Sequence, residues 1–319
     1  MISICIPAYK HVALTYEAAR SVLQQNADFE LVVLDDFYLN ELTQENRHAT
    51  ESLREYLCAD KRVKCFSNDK PLTIQDNWNK TVSLSTGNYI KLMGADDKIM
   101  QDGIVKMENM IRTYPLIAFH GHLANIIDSG GAVLRQQQPY GKNYTNRPIT
   151  GAEALKGKLR QQVRFKEPAC NFYLKSAWEE VGGYDNKFRF AFDVHFNVKM
   201  MSGFSSILWN EYLVYLRRHP ASDGAQLPVS LALADLRGVL DEILKILGSE
   251  STVTDRAAAS GLLEYRVIEL LIQRINSQPV DVIKLFLNNF SLFLNNPISY
   301  FYMTKLLWSR GVTGDVQQN

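Results

Sequence analysis

The stretch Gly87-Asn88-Tyr89-Ile90-Lys91-Leu92-Met93-Gly94-Ala95-Asp96-Asp97 reads as a short strand running into two adjacent carboxylates. Gly87-Asn88 is a turn signal, and Tyr89, Ile90, Leu92 and Met93 suit a buried strand. Gly94-Ala95 leaves room for close backbone approach. Two acids at the end of a buried strand are costly to desolvate unless a cation accompanies them. In an open α/β sheet that end of the strand is where ligands bind. Hard oxygen donors there suit Mg²⁺ or Mn²⁺, the usual companions of phosphates. The competing reading is a solvated turn with two surface acids.

Working outward, the flanking chain alternates strand-like and helix-like segments. Ile2–Ile6, Glu30–Leu34, Arg62–Phe66 and Tyr89–Met93 read as strands. Between and after them, Tyr16–Gln25, Glu45–Leu57, Thr73–Ser85 and Asp102–Tyr114 carry helical spacing. Such alternation predicts parallel crossover units and a sheet covered on both faces. Right-handed crossovers put the loops after each strand on one edge. Pro7-Ala8-Tyr9, Asp35-Asp36, Asn68-Asp69 and Asp96-Asp97 are therefore expected to converge. No G-x-G-x-x-G follows the first strand, and no G-x-x-x-x-G-K-[ST] occurs. A nucleotide would then be held by carboxylates, metal and strand-end backbone.

Composition bounds the class. The 319 residues are 46% hydrophobic and 22% charged, as in a soluble globular protein, and suffice for one large domain or two ordinary ones. A net charge of +1 gives no global attraction to nucleic acid. Cys5, Cys58, Cys65 and Cys170 form no C-x-x-C pair, which favours free thiols in a reducing compartment. The chain opens on a strand without a basic and apolar leader, so no secretory signal is expected, and no run of about 18 apolar residues suggests a membrane span.

In the second half, Leu116–Ile127 is strand-like and Ser129-Gly130-Gly131 reads as a hairpin turn into Ala132-Val133-Leu134. His120 and His122 share a strand face; core histidines outweigh a metal pair there. The polar segment 136–148 reads as a mobile, acceptor-facing loop. Thr150 and Glu153 have capping-box spacing ahead of a helix to Leu159. Asn171–Leu174 is a strand and Ser176–Val181 a short helix stopped by Gly182-Gly183. From Val229 the pattern changes to four apolar-striped helices: Leu231–Leu247, Ala257–Ile275, Val280–Phe293 and Ile298–Trp308.

Three pieces in register across about a hundred residues resemble family 2 glycosyltransferases with the GT-A fold. They are Ser3-Ile4-Cys5-Ile6-Pro7-Ala8-Tyr9, Leu31-Val32-Val33-Leu34-Asp35-Asp36, and Gly87–Ile90 leading into Gly94-Ala95-Asp96-Asp97. Gly182-Gly183-Tyr184-Asp185 followed by Phe190–Phe196 extends the likeness. The resemblance implies an α/β fold: a GT-A, mostly parallel sheet flanked by helices over residues 1–227, to which the apolar-striped pattern adds a helical C-terminal domain over 228–319. It implies an inverting transfer from a nucleotide-diphosphate sugar, UDP-sugar favoured, to a hydroxyl of a growing glycan or polysaccharide, assisted by Mn²⁺ or Mg²⁺. Pro7, Ala8, Tyr9, Asp36, Asn68, Ala95, Arg217 and Arg218 are its implied nucleotide residues, the two arginines facing the leaving diphosphate. Asp96 and His219 are the implied metal ligands. Asp193, second of a pair whose first member is Phe192 here, is the implied general base; its rival role is a helix N-cap. The usual first acid of the metal motif is replaced by Gly94, and the Gly-Ser after the second-strand acids by Phe37-Tyr38. No nucleic acid partner is implied. The protein is expected in the cytoplasm, with contact at the inner membrane face and homo-oligomerisation through the last helices both left open. The rival readings are a nucleotidyltransferase acting on a sugar phosphate and an inactive carbohydrate-binding relative.

Overall fold

A computed structural model describes residues 1–9, 12–35, 44–218 and 229–274. Asp36, His219, Phe37-Tyr38 and the two expected helices beyond Val280 lie outside the described residues. One ten-stranded sheet organises the rest. Its first half follows the alternation in the sequence: β1 (Ile2–Ala8), α1 (Val12–Leu23), β2 (Phe29–Asp35), α2 (Gln44–Cys58), β3 (Val63–Ser67), α3 (Ile74–Ser83) and β4 (Tyr89–Leu92). These four strands pair in parallel in the order β3-β2-β1-β4. Every residue of β1 and β2 is buried, as expected of central strands in a sheet covered on both faces. Alternate residues go to opposite faces: Ile2, Ile4 and Ile6 join α1 and α2 in one apolar cluster, and Cys5 joins Val82, Ile90, Tyr173 and Phe196 in another.

β4 is entered through a buried polar knot. Glu30 of β2 accepts Ser3 Oγ at 2.5 Å, Thr86 N at 2.7 Å and Thr86 Oγ1 at 2.8 Å, and pairs with Lys64 at 2.5 Å. Burial alone would raise its pKa, but these donors outweigh it and bring the carboxyl down to about 2. The Gly87 N–H donates to Ser3 Oγ at 2.8 Å, which fixes where the strand begins.

The second half departs from simple crossovers. β5 (Lys98–Ile99) and α4 (Gly103–Thr113) lead to β6 (Phe119–Ile127), which turns into β7 (Val133–Gln136) through the expected hairpin. β8 (Pro148–Ile149) and α5 (Gly151–Leu159) precede β9 (Asn171–Leu174), α6 (Lys175–Glu180), α7 (Phe192–Gly203) and β10 (Ser206–Arg217). β9 lies antiparallel between β4 and β6, so parallel ladders between the described strands are those of the first four and of β6–β10. Thr150 and Glu153 form the capping box at α5. Segment 136–148, expected as a mobile loop, is pinned. Tyr140 is buried, its Oη donates to His122 O at 3.2 Å, and its N–H donates to Asn210 Oδ1 at 2.8 Å. Its aromatic ring supplied an apolar anchor that a count of polar residues does not register.

α8 (Val229–Leu247) and α9 (Val253–Arg274) follow. They share a core cluster with α5 and α7: Leu155, Leu159 and Val198 meet Val239, Leu240, Ile243 and Leu262. Among the described residues, no helix is long and apolar enough to cross a membrane.

Candidate active site

The strand register builds the site. Ala8, Asp35 and Ser67 stand in one row at the C-terminal ends of β1, β2 and β3. The Asp35 carboxylate is buried and takes a forked contact from Arg54 of α2, with Nη2 at 2.8 and 2.9 Å and Nε at 3.1 Å; Ser67 Oγ adds a bond at 3.2 Å. Such a charge-assisted fork fixes geometry as well as charge. Asn68 donates its N–H to Asp35 O at 2.9 Å. Its side chain lies between two residues of α3, donating to Asn77 Oδ1 at 2.9 Å and accepting Lys80 Nζ at 2.7 Å. Pro7 is buried in the β1 ladder, and Tyr9 lies at the rim, 40% exposed. Pro7, Ala8, Tyr9 and Asn68 therefore meet at one sheet edge, as expected.

The acidic loop rises beside that row. Met93 N–H donates to Cys5 O at 2.9 Å, and Asp97 N–H to Gly94 O at 3.2 Å, which closes a turn around Ala95-Asp96. A Cβ at residue 94 would stand 2.7 Å from Asp96 Oδ1 and 2.9 Å from Asp97 Oδ2. A side chain at this position, where the family pattern has an acid, would meet the two carboxylates that follow it. Asp97 is buried, and its pKa is pushed well above the ordinary range by burial and then by Asp96.

Arg217, expected to face the phosphates, holds this loop instead. Its N–H donates to Asp97 Oδ1 at 3.0 Å and its Nε to Asp96 O at 2.9 Å. Nη1 donates to Ser129 O at 2.7 Å, and Nη2 pairs with Glu17 at 2.7 Å. With its side chain only 1% exposed, the guanidinium is turned inward. Burial in the β10 ladder, invisible in the sequence, redirects it. Arg218 is 43% exposed and pairs with Glu167.

The loop fits a divalent cation. Both carboxylates approach the place a Gly94 side chain would take, and Asp97, raised first by burial and then by Asp96, would have its charge offset by a cation there. One or two carboxylates completed by substrate phosphates is a usual Mg²⁺ arrangement. Among the described residues, no three His, Cys, Asp or Glu side chains form a ready-made cluster.

Asp193 lies in the first turn of α7, behind the N-cap residue Ala191, so it is not the N-cap. Its Oδ1 accepts Val194 N–H at 2.7 Å. Burial, reinforced by the charge of Glu167, raises its carboxyl to about 6. Phe192, where the family pattern has an acid, anchors the turn: its ring meets Trp78 of α3 edge-on at 5.1 Å. Asn79 of α3 holds Tyr184 at both ends, accepting its N–H at 2.9 Å and donating to its O at 2.6 Å. α3 thus carries Asn77 and Lys80 beneath the Asn68 loop, and Trp78 and Asn79 against the α7 turn. Asp185 pairs with Lys199 at 2.9 Å and with His195 at 3.2 Å, so both of these nearby groups are engaged elsewhere.

Two features gave no sequence signal. Glu167 accepts Gln137 Nε2 at 2.9 Å and pairs with Arg218, and its charge reaches both Asp97 and Asp193. Lys91 is fully buried beneath the acidic loop. Its Nζ contacts His122 Nε2 at 2.6 Å and donates to Asn171 O at 3.2 Å and to Ala169 O. Burial lowers that lysine to about 7. His122 thus belongs to a buried network, and His120 stacks on Phe172 at 4.5 Å, so neither forms a metal pair. Glu-Pro before a strand and a lysine in an apolar run match no motif.

Comparison with known proteins supplies the last finding. The family model for Glycosyl transferase family 2 matches residues 3–182. The uncharacterized protein MT1568 of Mycobacterium tuberculosis is 24% identical over 251 residues, which are 76% of this chain and 73% of that relative. The uncharacterized glycosyltransferase MJ1057 of Methanocaldococcus jannaschii is 26% identical over 124 residues, 39% of this chain and 41% of that relative. Among solved structures, S. aureus TarS 1-349 in complex with UDP-GlcNAc superposes with a TM-score of 0.64 at 12% identity, covering 96% of this chain and 84% of that one. The mannosyltransferase PcManGT from Pyrobaculum calidifontis, in complex with GDP-Man and Mn²⁺, gives 0.55 at 12% identity, covering 97% and 85%. At that identity the likeness is one of fold.

Proposed function

The chain belongs to glycosyl transferase family 2, and from that premise we propose that it inverts the anomeric centre of a nucleotide-sugar donor in one in-line displacement, with Asp193 as general base. The observation that carries this reading is the pairing of two differently tuned carboxyl sites. One is the paired Asp96-Asp97 loop at the strand ends; the other is a single half-buried carboxyl on α7, raised to about 6. At neutral pH that carboxyl is ionised yet more basic than an ordinary aspartate. A general base wants both properties.

The nucleoside end is assigned to Pro7, Ala8, Tyr9 and Asn68, joined by Asp36. Asp35, clamped by Arg54, keeps the second strand end in place. Asp96 is the proposed metal ligand, with His219 as a second and Ala95 beside the diphosphate. A divalent ion bound there would neutralise charge on the departing diphosphate. Arg217 orients Asp96 through its backbone oxygen and Asp97 through its carboxylate. Arg218, exposed at the same strand end, remains the phosphate candidate. Asp193 takes the acceptor hydroxyl proton as the oxygen attacks.

A UDP-sugar is the favoured donor and a glycan hydroxyl the acceptor; GDP-sugars are the second choice, in line with the nucleotides held by the two structural neighbours. We retain a catalytic domain over 1–227 and a helical domain over 228–319, working in the cytoplasm or at the inner membrane face. Thermal shift of the full-length protein with UDP-, GDP- and dTDP-sugars and Mn²⁺ tests the donor assignment, since ligands specific to the native state raise Tm. One nucleotide series should raise Tm only with the metal present. No shift with any of them overturns the reading.

A further inference from the structure

The helix that carries Asp193 has a weak start of its own. Ala191 is its N-cap, and alanine offers no side-chain acceptor for the amides there. An acceptor from another element instead holds the two amides just ahead of the first turn. Asp235 of α8 is buried, and its Oδ2 accepts Phe190 N–H at 2.5 Å and Ala191 N–H at 3.2 Å. Two turns further along the same face of α8, Glu242 Oε1 lies 3.0 Å from His195 Nε2, and Oε2 pairs with Lys187. Between these acids Gly238 allows Phe188 to lie against the helix backbone: a Cβ there would stand 2.5 Å from the ring. Val239 and Ile243 pack in the same cluster as Phe188, Ala191 and Val198. A glycine inside a long helix costs about 1 kcal/mol against alanine. Here it makes room for a residue of the segment that leads into α7. Both ends of the first turn that bears Asp193 are thereby fastened to α8: Ala191 before it and His195 after it.

We propose that Asp235 and Glu242 are positioning residues for the general base, so that the α8 helix completes the catalytic site rather than only adding bulk to the fold. The proposal rests on Asp193 being the base. It assigns the segment after residue 228 a direct task in the reaction, while the donor residues at the β1–β4 ends owe it nothing.

The test uses the full-length chain. In Asp235→Ala, turnover should fall 10- to 100-fold, the scale expected when a reacting group is displaced by about 1 Å. Donor affinity with Mn²⁺ should stay within about twofold. Asp235→Asn keeps an oxygen acceptor for both amides and should recover most of the turnover. Glu242→Gln, at a less buried position, should show a smaller loss of the same kind. In the Asp193→Asn background, adding Asp235→Ala should leave the residual rate unchanged, because there is no base left to misplace. A purely structural contact would lower that rate again. The inference is overturned if Asp235→Ala and Glu242→Gln both turn over like wild type. It is equally overturned if their losses add fully to that of Asp193→Asn, or if donor affinity falls in parallel with turnover. Failure of the base assignment looks different: Asp193→Asn alone would then be active.

Discussion

Replacing Asp193 with asparagine removes a proton acceptor and little else. The amide is nearly isosteric, and its oxygen can still accept the Val194 N–H now held at 2.7 Å. The native carboxyl stands at about 6, above its value in an unfolded chain, because burial disfavours the charge. A folded-state pKa above the unfolded one contributes stability at acid pH that is lost as pH rises through about 6. The variant has no such loss, so its Tm at pH 7.5 should equal or exceed that of wild type. Its chemistry should collapse. General-base removal typically costs 10²–10⁴ in rate, about 3–5 kcal/mol of barrier. Wild type should show the same group in its pH profile. With a carboxyl near 6, roughly 97% is ionised at pH 7.5 and about 10% at pH 5, so turnover should fall nearly tenfold across that interval. The assay is release of nucleoside diphosphate in the presence of acceptor and saturating Mn²⁺, with donor affinity measured alongside. The reasoning is refuted if Asp193→Asn keeps more than about a tenth of wild-type turnover, a loss too small for general-base removal.

The remaining predictions concern the donor side and the sheet. Asp96→Ala should abolish the metal dependence of nucleotide binding while leaving Tm without ligand nearly unchanged; calorimetric titration with and without Mn²⁺ reads both. Asp36→Ala should weaken nucleotide binding with or without metal by about 1–3 kcal/mol, the scale of one lost hydrogen bond to a buried group, and equal affinities would move the base site away from β2. Glu30, brought down to about 2 by Lys64, Ser3 and Thr86 against the effect of burial, contributes stability that is lost as pH falls from about 4.5 towards 2. Glu30→Gln should therefore flatten that acid limb in a plot of Tm against pH, and an unchanged slope would contradict the linkage.

Much of the first half was legible because its signals are local and repeated. The apolar residues of β1 and β2 announce two buried strands, although Ser3, Glu30 and Asp35 within them are buried through polar partners that composition does not show. The alternation with helices then dictates which strand ends meet, and Ala8, Asp35 and Ser67 do stand in one row. The capping box at Thr150 and Glu153 is equally local. The stop of α6 was readable from its glycine pair, since Gly182 and Gly183 take positive φ of 73° and 63°. What could not be read depends on contacts distant in sequence. Arg217 looked like a phosphate ligand until Glu17, 200 residues earlier, and the acidic loop were seen to enclose it. Glu167 and Lys91 act through charge and burial rather than through a pattern of neighbours. The α8 contacts to Phe190 and Ala191 join residues 44 and 45 apart, and only backbone amides receive them. A backbone amide has no sequence signature.

The account turns on two carboxyl sites with separate tasks, and one comparison tests that separation directly. Nucleotide affinity and nucleoside-diphosphate release are measured on wild type, Asp96→Ala and Asp193→Asn with the donor selected by thermal shift and Mn²⁺. The account predicts that both variants lose release, that only Asp96→Ala loses metal-dependent affinity, and that Asp193→Asn binds donor like wild type. Release that survives in Asp193→Asn, or affinity lost equally in both variants, would contradict it.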